Sequence, residues 1–167
     1  MIENRRAEIS DLSDRQAITD VLHRYCRAID RADEELLASV YHPDAFDDHG
    51  SFSGDATAFV SRTIERMRDE YEASQHRIAN VLIDLQGDLA YVESYVSVTH
   101  CLTDNRIEFA GARYVDRFSR RDGVWKIAHR LAVVDWQMMA DRGETSQHIS
   151  AFAQGSRDRT DPVYRRD

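Results

Sequence analysis

The chain has 167 residues, 30 of them acidic and 22 basic, for a formal net charge of −8. A chain of this length fits one domain that buries about 70% of the surface its unfolded form exposes, so neither a disulfide nor a metal staple is required. The negative charge repels phosphate backbones and argues against nucleic acid as a partner, and no apolar run nears the ~18 residues of a membrane-spanning helix. The opening segment, "MIENRRAEISDLSDR", has no apolar signal core. Cys26 and Cys101 lie in apolar surroundings without CxxC spacing and read as reduced thiols. These features point to a soluble cytoplasmic protein with no membrane partner.

In chain order, Ser13 and Gln16 form a capping-box pattern, after which Ile18, Leu22, Tyr25 and Ile29 recur at helical spacing. A first helix is predicted from Asp14 to Asp30. A second, short helix, "DEELLASVY", begins near Asp33 and stops before Pro43. "DAFDDHGSFSG" is a short strand or a loop. A third helix follows from Asp55, with Phe59, Val60, Thr63, Ile64, Met67 and Tyr71 on one apolar stripe. After Ala73 the period changes to two, and turns at Gln86–Asp88, Thr103–Asn105 and Arg121–Gly123 divide the rest into four strands. These are His76–Leu85, Leu89–Leu102, Arg106–Arg120 and Val124–Gln137, paired as antiparallel hairpins.

Helices followed by a meander imply an α+β domain, with helices on one face of a curved sheet and a second face that wants a partner, another subunit. The domain is expected to span 1–138. A polar tail over 139–167 is either disordered or at a subunit interface.

Asp30 ends the first helix, where the helix dipole disfavours an acid. It is either a capping or loop acid for the helix near Asp33, or a carboxylate paired with a nearby cation or imidazole. His76 in "SQHRIAN" opens a strand. It is either a satisfied strand-end histidine or, if its face is covered by the helices, a base oriented by Asp30. Arg130 shares a face with Ala128, Ala132, Val134 and Trp136, and holds either a substrate oxygen or a buried acid such as Asp116. Tyr25, Tyr41, Phe46, Tyr95 and Trp136 either line an aromatic pocket or form plain core. His42, Asp44, Asp47, Asp48 and His49 in "HPDAFDDHG" do not match a recognised ligand spacing, and no metal is expected there.

The stretches "RYCRAID", "YHPDAFDDHGSFSG", "SQHRIAN", "GDLAYVESY" and "GARYVDRFSRRDGVWKIAHR" together resemble the SnoaL-like branch of the nuclear transport factor 2 (NTF2-like) superfamily, over Asp14 to Trp136. That resemblance implies a cystatin-like cone, with three N-terminal helices packed on a curved antiparallel sheet around a deep apolar pocket. Its dehydratase and dehydrochlorinase members carry an Asp at the end of the first helix and a His at the start of the long strand, which match Asp30 and His76. The tyrosine that some dehydratases place five residues before the Asp matches Tyr25. A further acid or histidine on the second long strand falls near Val98 and His100.

The resemblance therefore implies a cofactor-independent lyase of dehydratase, dehydrohalogenase or retro-aldol type, acting on a small apolar or aromatic molecule. His76, Asp30 and Tyr25 would be catalytic, and Tyr41, Phe46, Tyr95, His100, Arg130 and Trp136 would bind substrate. The protein would be a homo-oligomer, dimer or trimer. The alternatives are a polyketide cyclase or isomerase, or a non-catalytic ligand carrier or structural subunit resembling the β subunit of aromatic-ring dioxygenases.

Overall fold

The computed structural model describes residues 2–144 and 146–165. The first helix, α1, spans Ile2–Asp30 and starts well before the predicted Asp14. Its early segment contains no glycine or proline to interrupt it, and Gln16 donates to Asp20 at 2.8 Å within the helix instead of capping it. Ile18, Leu22, Tyr25 and Ile29 are buried, as their spacing predicts. The C-terminus closes in a Schellman turn. Ala32 takes a left-handed φ of 49°, its N–H donates to Ile29 O at 3.0 Å, and Asp33 N–H donates to Ala28 O at 2.9 Å.

Asp33, not Asp30, caps the second helix, α2 (Glu34–Ser39), by accepting from Leu36 N–H at 3.0 Å. The helix ends before Tyr41, which opens a strand, β1 (Tyr41–Asp48), followed by the short β2 (Ser53–Asp55). Asp55 caps α3 (Ala56–Asp69), which buries Phe59, Val60, Ile64 and Met67. Four long strands complete the chain: β3 (Tyr71–Gln86), β4 (Leu89–Leu102), β5 (Arg106–Arg121) and β6 (Val124–Asp141).

The sheet has six strands in the order β2-β1-β6-β5-β4-β3. It is mixed, because β1 runs parallel to β6, where an all-antiparallel sheet was expected. The register between them slips between Tyr41 and Phe46, around Pro43, which has no N–H to give to a ladder. β3 to β6 form the predicted hairpins, with left-handed residues at the turns, namely Gly87, Asn105, Asp122 and Gly123.

Two bulges redirect side chains. Between Ile78 and Val81 the register of β3 against β4 shifts, so Ile78, Val81, Ile83 and Leu85 all pack on the core and Leu82 faces outward, 58% exposed. Val134 pairs with Ala112 whereas Trp136 pairs with Gly111, so an extra residue, Asp135, turns Trp136 to the outer face.

α1 lies against β3 and β6, and α3 against β1, β2 and β3. The outer face carries exposed Tyr91, Tyr95, Val115, Leu131, Trp136 and Met138. Residues up to Asp141 of the polar segment over 139–167 belong to β6, and described residues beyond it contact the rest of the chain. Arg31 pairs with Asp161 at 3.1 Å, and Arg157 donates to main-chain carbonyls of α1, α3 and β3. No helix among the described residues is long and apolar enough to cross a membrane.

Candidate functional site

Asp30 is the last residue of α1, held by the Schellman turn beside β3. A carboxylate there meets the negative end of the helix dipole and needs donors. β3 supplies them. Ser74 Oγ donates at 2.9 Å, His76 main-chain N–H reaches the two oxygens at 3.1 and 3.0 Å, and His76 Nδ1 lies 2.7 Å from Oδ1. A carboxylate only accepts, so Nδ1 carries the proton and, in the neutral ring, Nε2 keeps its lone pair. The two side chains are largely withdrawn from solvent, at 7% for His76 and 19% for Asp30. His76 sits inside β3, which begins at Tyr71, rather than at the strand's first position.

The imidazole opens into a cavity of about 230 Å³ between α1, α3, the β1–β2 turn and the inner face of the sheet. Tyr25 and Ile29 of α1, Phe59 and Met67 of α3, and His49 and Phe52 of the turn line one side. The sheet wall is built from Val96, Val98, Ala110, Ala112, Ala132 and Val134, together with His76, His100 and Tyr114. The exposed Arg62 and Arg66 also belong to the lining.

His100 is 9% exposed, stacks on Tyr71 at 4.3 Å and meets His76 edge-on at 5.3 Å. Burial, and then the neighbouring His76, push its pKa down to about 3, so it stays neutral, and its Nδ1 has no hydrogen-bond partner. Tyr25 is fully buried, and burial pushes its phenol well above the usual range, so it remains protonated. Its hydroxyl lies 3.2 Å from His49 Nε2. Burial likewise pushes the Cys26 thiol up to about 12, which leaves it inert.

The structure brings Tyr25, His76 and His100 to the cavity and places Asp30 directly behind His76. It sends the other predicted substrate contacts elsewhere. Arg130 is fully buried and bonds Asp116 through Nε at 2.8 Å and Nη2 at 2.7 Å, which is the structural pairing of the two considered. Its guanidinium lies 4.0 Å from the ring centres of both Tyr25 and Tyr114, behind the cavity wall. Tyr41 is buried and donates to Asp47 at 2.5 Å, outside the cavity lining. Phe46 stacks on His129 at 5.5 Å, 41% exposed. Tyr95 and Trp136 belong to the outer face, Tyr95 by the alternation of β4 and Trp136 by the bulge at Asp135.

The acidic turn is dispersed among separate partners. His42 bonds Ser119 O at 2.9 Å, Asp44 bonds Arg121 at 2.6 Å, and Asp48 accepts from Gly50 N–H at 2.9 Å. Asp47 and His49 bond each other. That Tyr114 and His49 line this cavity, and that Ser74 and Asp47 bond Asp30 and His49 respectively, was not read from the sequence. The only signal for His49 was an imidazole two residues after an acid where a strand ends, "DDHG".

An open six-stranded sheet with helices enclosing a mostly apolar hollow defines an α+β ligand-pocket fold. The chain belongs to the family of the SnoaL-like domain, whose model matches residues 10–131, within the NTF2-like superfamily. It is 23% identical over 143 residues to the uncharacterized protein Rv2910c of Mycobacterium tuberculosis, covering 83% of this chain and 97% of the relative. Hexachlorocyclohexane dehydrochlorinase LinA-type3 from Novosphingobium barchaimii superposes with a TM-score of 0.75 at 19% identity, covering 83% of this chain and 99% of that one. A protein from Novosphingobium aromaticivorans, provisionally named a scytalone dehydratase, superposes with a TM-score of 0.72 at 22% identity, covering 83% and 94%. At these identities the likeness defines the fold.

Proposed function

We infer that the protein is a cofactor-independent lyase that eliminates water or halide from a small apolar or aromatic molecule. The observation that carries this reading is the bond between Asp30 and Nδ1 of a withdrawn His76 that lines the cavity. The dehydrochlorinase and dehydratase names of two fold neighbours agree with it.

In the reaction, His76 Nε2 takes a proton from the substrate carbon next to a carbonyl or ring. Asp30 fixes the ring through Nδ1 and stabilises the imidazolium that forms, a contribution of about 10² to 10⁴ in rate for a positioned general base. The electron pair of the broken C–H bond becomes the new double bond as the leaving group departs. Tyr25, kept neutral by burial, donates to the developing negative oxygen. Retro-aldol cleavage would use the same base on a hydroxyl proton. A cyclase or isomerase would retain every substrate atom, so product mass separates it from elimination.

Homo-oligomerisation through the outer sheet face is part of the same reading, supported by the exposed aromatic and aliphatic side chains there. A screen of aromatic alcohols and halides read by mass loss, with His76→Ala as control, tests the function. The variant is expected to lose at least a hundredfold in turnover with its fold intact. Near-full turnover in it removes the assignment.

A further inference from the structure

We propose that His49, held by Asp47, is the general acid of this cavity, giving its proton to the leaving group while His76 acts as base. The inference rests on the lyase reading above. It starts from a geometric fact: the cavity receives two histidine–aspartate pairs rather than one, from opposite sides.

His49 sits in the tight turn between β1 and β2. Its N–H donates to Phe52 O at 2.8 Å, and its ring stacks on Phe59 of α3 at 4.6 Å. Nδ1 bonds Asp47 Oδ1, and Nε2 faces the Tyr25 hydroxyl at the cavity wall. The two aspartates differ in what else they accept. Asp30 takes a hydroxyl and a main-chain N–H besides its imidazole. Asp47 is fully buried, and among the described residues its side chain accepts from Tyr41 Oη besides His49. Arg130, its register partner across the β1–β6 pair, bonds Asp116 through Nε and Nη2, and its buried Nη1 has no hydrogen-bond partner among the described residues. The cavity is thus lined by two imidazoles, each anchored through Nδ1 to an aspartate. With His76 as the base of the lyase reading, His49 is the second group placed to handle a proton, its Nε2 beside the Tyr25 hydroxyl. His100, neutral and without a charged partner of its own, is not a competitor for the acid role.

The balance closes. His76 gains the proton from carbon, and the C–H pair forms the double bond. The C–O bond breaks with its pair going to oxygen, and the oxygen takes the proton from His49 Nε2, so water leaves. Exchange with solvent resets both rings. Tyr25 orients the leaving oxygen and His49 Nε2 alike.

The test uses the full chain and two probes. Titration with 4-nitrophenolate, an anion with a leaving-group-like oxygen, is expected to shift the ring ¹⁵N resonances of His49, and His49→Gln is expected to weaken its binding at least fivefold while changing neutral nitrobenzene by less than twofold. Equal binding of the anion by both forms, or no response at His49, overturns the proposal. Turnover is then compared for 4-hydroxy-4-phenylbutan-2-one and its 4-chloro analogue, since hydroxide needs a proton to leave and chloride does not. His49→Gln is expected to cost the hydroxy compound at least tenfold more than the chloro compound. Equal losses overturn the acid role and leave His49 a packing residue. Full turnover of both in His76→Gln instead overturns the lyase reading, and the phenolate result stands apart from it.

Discussion

Arg157 of the tail donates from Nε to the main-chain oxygen of Asp30 at 3.3 Å and from Nη1 to that of Tyr71 at 2.6 Å, with Met67 O as a further acceptor. A single cation thus ties the ends of α1 and α3 to the start of β3, where helix dipoles present negative charge. Arg157→Ala is expected to cost about 2 kcal/mol, the scale of a few charge-assisted bonds. For a domain of this size that is a fall of about 6 °C in Tm. A calorimetric shift below 1 °C would show that the tail does not brace the site.

His100 makes stability depend on pH on the acid side. Unfolded, it binds a proton below about 6.5, whereas folded it stays neutral down to about 3, because burial and then His76 disfavour its charged form. Between those values the unfolded state holds more protons, so this contribution is intact above pH 6.5 and lost as pH falls. At pH 4 the loss is on the order of 3 kcal/mol, at ~1.4 kcal/mol per unit. Urea midpoints at pH 4 and 7 are expected to differ less in His100→Phe than in the parent; identical differences contradict this.

Arg130 is expected to be a stability residue and not a substrate contact. Arg130→Met leaves Asp116 buried without its partner and should cost about 3 to 5 kcal/mol. The double variant Arg130→Met, Asp116→Leu should recover much of that in denaturant unfolding. Failure of the second substitution to restore any stability would mean that the cation between the two tyrosine rings, not the ion pair, is what the fold requires.

Gly111 lies under Trp136, and a Cβ added there would come within 2.2 Å of the indole Nε1. The ring is 54% exposed and free to swing away, so Gly111→Ala is expected to cost under about 1 kcal/mol. It should nonetheless displace Trp136 and disturb the outer face. For the proposed homo-oligomer, light scattering is expected to show weakened self-association with unchanged secondary structure. Unchanged scattering would mean that this part of the face carries no self-association.

Helix α3, the four long strands and the buried stripe of α1 were legible because period and turn residues repeat over many positions. The Asp30–His76 pair was open from periodicity alone and was named through family resemblance, since nothing local says that two residues far apart in sequence will meet. What escaped has physical causes. The start of α1 was hidden by a polar segment that is helical without being amphipathic. β1 was left open between strand and loop, and its first residue, Tyr41, was read as helix, because Pro43 argues against a strand and a parallel pairing with β6 leaves no hairpin signal. Trp136 was grouped with Arg130, Ala132 and Val134 by strict alternation, whereas the bulge at Asp135 flips it. For Tyr41, Phe46 and Tyr95 composition left pocket or core open, and Tyr41 turns to Asp47 while Phe46 and Tyr95 face outward.

Ala110, Ala112 and Ala132 form much of the sheet wall, so the hollow is maintained there by missing bulk rather than by a gap between elements. On the proposed lyase reading, guest size is consequently written on two adjacent strands, one methyl at a time, while His76 and Asp30 arrive from other parts of the chain. Enlarging those alanines would then trim the range of accepted molecules and leave the proposed dyad standing, a division that would let selectivity drift without rebuilding the chemistry.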